Sequence, residues 1–154
     1  MKKMSEKGGK KMTAQEMWNA SGLAGEYDAW AFGDDPDTLA ELVRTGVKTA
    51  TASAYPLYEL EGEELPNVGE YSVILNTKDE AVCIICTTKV YITPYRDVSE
   101  EQAYKEGEGD RSLDYWRRVH EAFFFREMAE AGLNFSEEMG VVCEEFEVVY
   151  PREV

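Results

Sequence analysis

Gly46-Val47-Lys48-Thr49-Ala50-Thr51 places an amine and a hydroxyl three residues apart, directly behind a helix-ending glycine. A lysine whose proton affinity is lowered by burial can act as a general base or activate a neighbouring hydroxyl, and Thr51 supplies that hydroxyl. Geometry sets a condition on this chemistry. In a straight strand Lys48 and Thr51 face opposite sides, so their convergence requires a turn or bulge near Gly46, which glycine permits. The same six residues also read as a strand edge, with one solvated lysine and threonines chosen for β-propensity.

A second segment carries carboxylates. Glu106-Gly107-Glu108-Gly109-Asp110 alternates three acids with two glycines, which suits a hydrated loop or a weak cation site of hard oxygen ligands. It lacks the length and spacing of a calcium-binding loop. Cys83-Ile84-Ile85-Cys86 has the spacing of a metal or redox pair, but it lies in an apolar, strand-like run where positions three apart point to opposite faces. Cys143 sits in another apolar run, and all three cysteines are expected to be reduced, unmetallated and mostly buried. His120 is the only histidine, which excludes a multi-histidine zinc centre and leaves a serine-based triad unsupported. No metal and no cofactor is expected.

The elements that must position these residues can be read from caps and periodicity. Thr13-Ala14-Gln15-Glu16 has capping-box spacing and opens a short helix that Gly22 stops. Asp35-Pro36 starts a second helix, which buries Leu39, Leu42 and Val43 and ends at Gly46. Strands are predicted at Val47 to Ala54, Glu70 to Asn76, Ala81 to Ile92 and Val141 to Tyr150, separated in part by turns at 66–69 and 77–80. Ser99-Glu100-Glu101-Gln102 is a further capping box, with a helix running to about Glu106. From Ser112 to Ala131, Leu113, Trp116, Val119, Phe123 and Phe124 recur at helical spacing before Gly132. The sheet is expected to be antiparallel and curled, with the long helix packed against it.

Charge constrains the partners. The chain has 154 residues, with 16 basic against 31 acidic and a net charge of −15. Five of the lysines lie in the first eleven residues beside Glu6 alone, which leaves 11 basic and 30 acidic residues for the rest. Such a surface repels polyphosphate, so sequence-independent binding to long nucleic acid is disfavoured and no DNA partner is expected. An uncharged nucleoside incurs no such repulsion. Residues 1–12, with Gly8-Gly9, are expected to form a disordered basic tail before a single domain at 13–154. A chain of this length buries close to 70% of its unfolded surface and needs no metal or disulfide to fold. No apolar run approaches the roughly 20 residues of a membrane helix, and the lysine-rich start lacks a secretory apolar stretch, so a cytoplasmic protein without membrane association is expected.

Taken together, the ordered segments resemble a known family. Gly46-Val47-Lys48-Thr49-Ala50-Thr51 is similar to the G-x-K-x-x-T signature of the ASCH domain, a small barrel related to the PUA RNA-binding fold. Trp30-Ala31-Phe32-Gly33-Asp34, Glu106-Gly107-Glu108-Gly109-Asp110, Trp116-Arg117-Arg118-Val119-His120 and Phe146-Glu147-Val148-Val149-Tyr150 fit its longer bacterial form. The resemblance spans roughly residues 13 to 151 and implies an α+β fold: a PUA-like, mostly antiparallel curled β-barrel with flanking helices.

It also implies roles. ASCH-type amidohydrolases that deacetylate 4-acetylcytidine use the motif lysine and threonine with a glutamate placed after the central strands. Order along the chain makes Glu106 the best match and Glu108 the reserve. The implied reaction is hydrolysis of an exocyclic amide on a pyrimidine nucleoside, with Lys48 as base, Thr51 as nucleophile or water orienter, and Glu106 positioning the lysine and handling protons. Trp30, Phe32, Tyr55 and Trp116 are candidates to stack on a flat base, Trp30 and Phe32 first. Gly46, Glu108 and Trp116 complete the expected binding residues. Two other classes compete: a non-catalytic PUA-like module for single-stranded RNA or a modified nucleotide, and a ribonuclease-like activity resting on His120 and scattered arginines. A lysine at a cleft rim buries little, so Lys48→Ala is expected to change stability by under about 1 kcal/mol.

Overall fold

A computed structural model describes residues 11–152. The elements run α1 (Ala14–Ser21), β1 (Asp28–Trp30), α2 (Pro36–Arg44), β2 (Ala50–Ala54), α3 (Tyr55–Glu61), β3 (Tyr71–Leu75), β4 (Ala81–Pro94), α4 (Glu100–Glu106), α5 (Leu113–Glu130) and β5 (Gly140–Tyr150), with a short 3-10 turn at Tyr95–Asp97. The five strands form one curled half-barrel in the order β1-β3-β4-β5-β2. Every pairing is antiparallel except that of β1 with β3. The α+β fold with flanking helices is therefore the one expected, with the sheet left open between its two edges, β1 and β2.

Local chemistry explains the helices that were expected. The Thr13 hydroxyl accepts from the Glu16 amide while the Glu16 carboxylate accepts from the Thr13 amide, a complete capping box. The Ser112 hydroxyl likewise caps α5 at Tyr115. At α4 only half of the expected box forms: Ser99 accepts from the Gln102 amide, but the Gln102 side chain turns inward to the site described below.

Three apolar clusters hold the domain. One joins Tyr95, Trp116, Phe124 and Met128 to the inner face of β5. A second packs α2, through Ala40 and Val43, onto Ile74, Cys83 and Ile85. A third seats Met17 and Trp18 of α1 on Val73 and Ile84, with Met12 packed against it. The Met12 carbonyl also accepts from the Ala81 amide at 2.8 Å, so the ordered fold begins before Thr13. The rest of the expected basic tail, residues 1–10, lies outside the described residues.

One expected assignment needs correction. The strand placed at Val47 to Ala54 starts only at Ala50. The Val47 and Lys48 amides both donate back to the Leu42 carbonyl, at 2.9 and 3.0 Å, closing a turn over the end of α2 instead of entering a ladder. Helix α3, which ends at the left-handed Gly62, and the three-residue edge strand β1 are additions to the predicted elements.

Cys83 and Cys143 are fully buried and Cys86 is partly exposed, all as free thiols. Burial pushes Cys83 and Cys143 up to about 12, which suppresses their reactive thiolates. Thiol titration of the native protein is expected to label Cys86 first, with Cys83 and Cys143 reacting only after denaturant is added. Rapid native labelling of all three would contradict this packing. Among the described residues no helix is long and apolar enough to cross a membrane, and no group of three or more His, Cys, Asp or Glu side chains is placed to hold a metal ion.

Candidate functional site

Lys48 reaches its site because the chain does not run straight. Gly46 adopts φ +84°, a left-handed conformation that other residues rarely tolerate, and redirects the backbone after α2. The Thr49 amide then donates to the Lys105 carbonyl at 2.7 Å and the Thr49 carbonyl accepts from the Phe146 amide at 3.0 Å, so the turn is clamped between α4 and β5. This meets the geometric condition set by the sequence: Lys48 stands outside the strand and Thr51 inside it, and both line one small cleft of about 80 Å³.

The lysine is not at a rim. It is 1% exposed, and its ammonium lies 2.8 Å from Glu108 Oε2 and 3.6 Å from Glu106 Oε1. The Glu106 carbonyl accepts from the same ammonium at 3.4 Å, and the Phe32 ring lies beneath it with its centroid 5.3 Å away. Two carboxylates, a carbonyl and an aromatic face make this a site for a charged ammonium. The expectation that Lys48 adds little to stability is corrected by this burial.

Glu106 is the anchor of the cluster. Its Oε2 accepts from the Trp116 indole at 2.7 Å and from the Gln102 amide at 3.0 Å, while Oε1 faces Lys48 and, at 3.3 Å, His120 Nε2. Burial alone would push this carboxyl up. The Lys48 charge, His120 and Gln102 overcome that and hold it at about 2. His120 stacks on Trp116 with centroids 4.1 Å apart, and its Nδ1 lies 3.0 Å from the Trp116 carbonyl. A carbonyl only accepts, so the Nδ1 contact is a hydrogen bond in the tautomer that carries its hydrogen on that nitrogen.

The pH consequence has a definite sign. Glu106 is held below its ordinary value of 4.5, so its contribution to folding is present above that pH and is lost as pH falls through about 2. The stability difference between wild type and Glu106→Gln, from denaturant unfolding, is expected to hold constant from pH 7 to about 4.5 and then to shrink toward pH 2. A difference independent of pH across that window would contradict an ionised Glu106.

The remaining expected residues divide. Phe32 lines the cleft beside Lys48, Thr51, Glu106 and Glu108. Trp30 packs edge-on against Phe32, with centroids 4.9 Å apart, and lines the neighbouring groove. Trp116 is buried beneath the cleft and donates to Glu106. Gly46 faces a different groove, with Arg44 and Phe146, so its part is to make the turn. Sequence reasoning missed Gln102 and His120. Both lie four residues from a partner on the same helix face, Gln102 from Glu106 and His120 from Trp116, and that spacing was the available signal.

The cleft opens into a groove of about 730 Å³ between the free edges β1 and β2, with Phe32, Gly33, Thr51, Ala52 and Phe123 common to both. Its walls carry Asp28, Glu63, Glu64, Glu70, Glu127 and Glu144 and no basic side chain. Burial raises the Glu144 carboxyl, the Thr87 hydroxyl at 2.6 Å pulls it back, and the Glu70 charge raises it further. This is a strongly anionic approach to the ammonium.

Comparison with known proteins places this geometry. The family model described as ASCH domain matches residues 28–150. An ASCH domain from Lactobacillus crispatus is 36% identical, with a TM-score of 0.81 over 88% of this chain and 93% of that one. A protein of Enterococcus faecalis is 40% identical, with a TM-score of 0.78 over 87% of this chain and 83% of that one. A further solved structure, of a hypothetical protein, is 14% identical with a TM-score of 0.55 over 80% of this chain and 99% of that one, and shares the fold alone. Among curated proteins, none matches this chain. With the family model covering most of the chain and two solved relatives above 30% identity, the chain belongs to the ASCH domain family.

Proposed function

We propose that the cleft hydrolyses a small amide, an acyl group on the exocyclic nitrogen of a pyrimidine nucleoside such as 4-acetylcytidine. The supporting observation is the convergence of a buried ammonium, a hydroxyl-bearing residue and two carboxylates on one cleft beside aromatic walls. In this reading Lys48 polarises the acyl carbonyl and stabilises the charge that develops on its oxygen. Thr51 orients the attacking water, a carboxylate handles the protons, and Glu106 holds the lysine in place. The flat base stacks in the groove beside Trp30 and Phe123.

The groove's charge favours a nucleoside over a nucleic acid. Six carboxylates without a basic side chain repel a phosphate backbone, whereas an uncharged base and ribose meet no such barrier. A panel of N-acylated cytidines and simple aryl amides, assayed for acid release by wild type and Thr51→Val, tests the reading. Wild type is expected to turn over the acylated cytidines, with Thr51→Val slower by about a hundredfold. RNA binding measured at two salt concentrations is the companion assay. Absence of turnover across the panel, with micromolar RNA binding, would instead favour a binding module of PUA-like type.

A further inference from the structure

A row of polar side chains crosses the half-barrel, one from each strand. In sheet order it runs from Asp28 of β1 to its register partner Ser72 of β3, then to Thr87 of β4, Glu144 of β5 and Thr51 of β2. Thr51 and Glu144 are direct cross-strand partners, and side chains so paired stand on the same face of a sheet. Asp28, Ser72, Glu144 and Thr51 all line the groove of about 730 Å³, and Thr51 also lines the cleft that holds Lys48. The row therefore joins the groove to the cleft.

Two independent observations point to a ligand here. Ser72 is only 7% exposed, yet its hydroxyl makes no hydrogen bond among the described residues. Buried hydroxyls ordinarily have a partner, so this one presents open lone pairs to whatever fills the groove. The second observation is charge without counter-charge. Asp28, Glu63, Glu64, Glu70, Glu127 and Glu144 share the groove, and none of them forms an ion pair among the described residues. Asn67 donates to both Glu70 oxygens, at 3.0 and 3.2 Å, and Thr87 donates to one oxygen of Glu144, which leaves the other without a donor. Like charges gathered along one groove repel one another, and a cation placed between them relieves that repulsion where an uncharged molecule does not.

The spacing of the carboxylates decides the kind of cation. Among the described residues no three acids come close enough together to hold one metal ion. Asp28 and Glu144 lie on strands three steps apart in the sheet, at most about 14 Å at the ordinary spacing between strands, and Trp30, Leu65 and Phe123 place apolar surface in the same groove. Separated charges with apolar surface between them match a chain of methylenes carrying ammonium groups, each with hydrogen-bond donors for a carboxylate or a hydroxyl, and the aromatic faces favour such cations as well. We infer that this groove binds a linear organic polycation, a diamine or polyamine, with its ammonium groups against Asp28, Ser72 and Glu144 and its methylenes along Trp30 and Phe123. The inference goes beyond the hydrolysis reading and does not depend on it. Because the proposed base would stack in the same groove, the cation and the nucleoside exclude each other.

The test is calorimetric titration of the full chain with spermidine, against butylamine and Mg²⁺ at matched ionic strength. Spermidine is expected to bind saturably, one per chain, and more tightly than either control. Glu144→Gln keeps an oxygen for the Thr87 contact and is expected to weaken spermidine at least about tenfold. Ser72→Ala is expected to weaken it about threefold or more while leaving the melting temperature unchanged, because the hydroxyl removed has no partner in the fold. Glu147→Gln makes the same change of charge facing the other groove, beside Arg44, and is expected to bind as wild type does. No saturable binding of spermidine at millimolar concentration, equal affinity for butylamine or Mg²⁺, or equal weakening by Glu144→Gln and Glu147→Gln would overturn the site. In the hydrolysis assay spermidine is expected to raise KM for 4-acetylcytidine with kcat unchanged, and turnover indifferent to saturating spermidine would overturn the shared groove. A wild type that hydrolyses no acylated cytidine would overturn the hydrolysis reading alone, since the titration is read without turnover.

Discussion

Lys48→Ala is expected to destabilise the protein by about 3–5 kcal/mol, the cost of stranding a buried carboxylate whose partner is removed. Lys48 and Glu106 are each 1% exposed, so the buried Glu106 carboxylate is left without the lysine's charge, and Glu108 loses its counter-charge as well. For a domain of this length the loss corresponds to a fall in melting temperature of at least about 6 °C. Pairing Lys48→Met with Glu106→Gln removes both charges and keeps most of the volume, so the double variant is expected to be more stable than Lys48→Ala. Thermal and urea unfolding of the three proteins check this. A change under about 1 kcal/mol for Lys48→Ala would mean that the ammonium is hydrated and the buried network does not exist in solution.

Gly107→Ala carries the second large effect. A left-handed alanine costs roughly 1–2 kcal/mol in backbone strain. Overpacking against the Val47 carbonyl, with a Cβ only 2.5 Å from its oxygen, adds about 1–3 kcal/mol more. A combined loss of about 2–5 kcal/mol is expected by chemical denaturation, with movement of Val47 away from α4. Gly22→Ala offers the comparison, because Gly22 also has a left-handed φ of +76° but meets nothing within 4 Å. It should show only the strain. Equal losses at the two positions would argue that Gly107 is needed for conformation alone.

What could be read from the sequence follows the range of the interactions involved. Thr13, Ser112 and Gly22 announce helix ends because each acts on backbone groups within a few residues. The long apolar strands β4 and β5 are legible because Cys83, Ile84 and Ile85, or Val141, Val142 and Cys143, are buried on both faces. The turn at Val47-Lys48-Thr49 is not legible in this way. Its hydrogen bonds go to Leu42, Lys105 and Phe146, and its lysine reaches the Glu106 carbonyl, 58 positions away. β-propensity in the threonines points to a strand, but the Val47 and Lys48 amides close on the Leu42 carbonyl instead. Lys48 and Thr51 stand out by residue type and spacing and Glu106 by family resemblance, and the coordinates put all three on one cleft. Gln102 was read as a capping residue because S-x-x-Q is a local pattern, yet a partner four residues on captures its side chain. As the only histidine of the chain, His120 has no second histidine to mark it as a ligand, and its neighbour is a carboxylate from a different helix.

Charge, by contrast, carried over directly. The acidic excess of the sequence appears as a groove of carboxylates leading to one buried ammonium. That arrangement discriminates by sign before any contact is made, because like charges raise the cost of approach at low ionic strength.

The most direct test of the hydrolysis reading is acid release from 4-acetylcytidine by purified wild-type protein, followed by chromatography of the nucleoside product. The account predicts stoichiometric conversion to cytidine and acetate at a rate that depends on protein concentration, with Thr51→Val slower by about a hundredfold. Unchanged 4-acetylcytidine after prolonged incubation with folded protein, and no acid release from the other acylated cytidines, would contradict it.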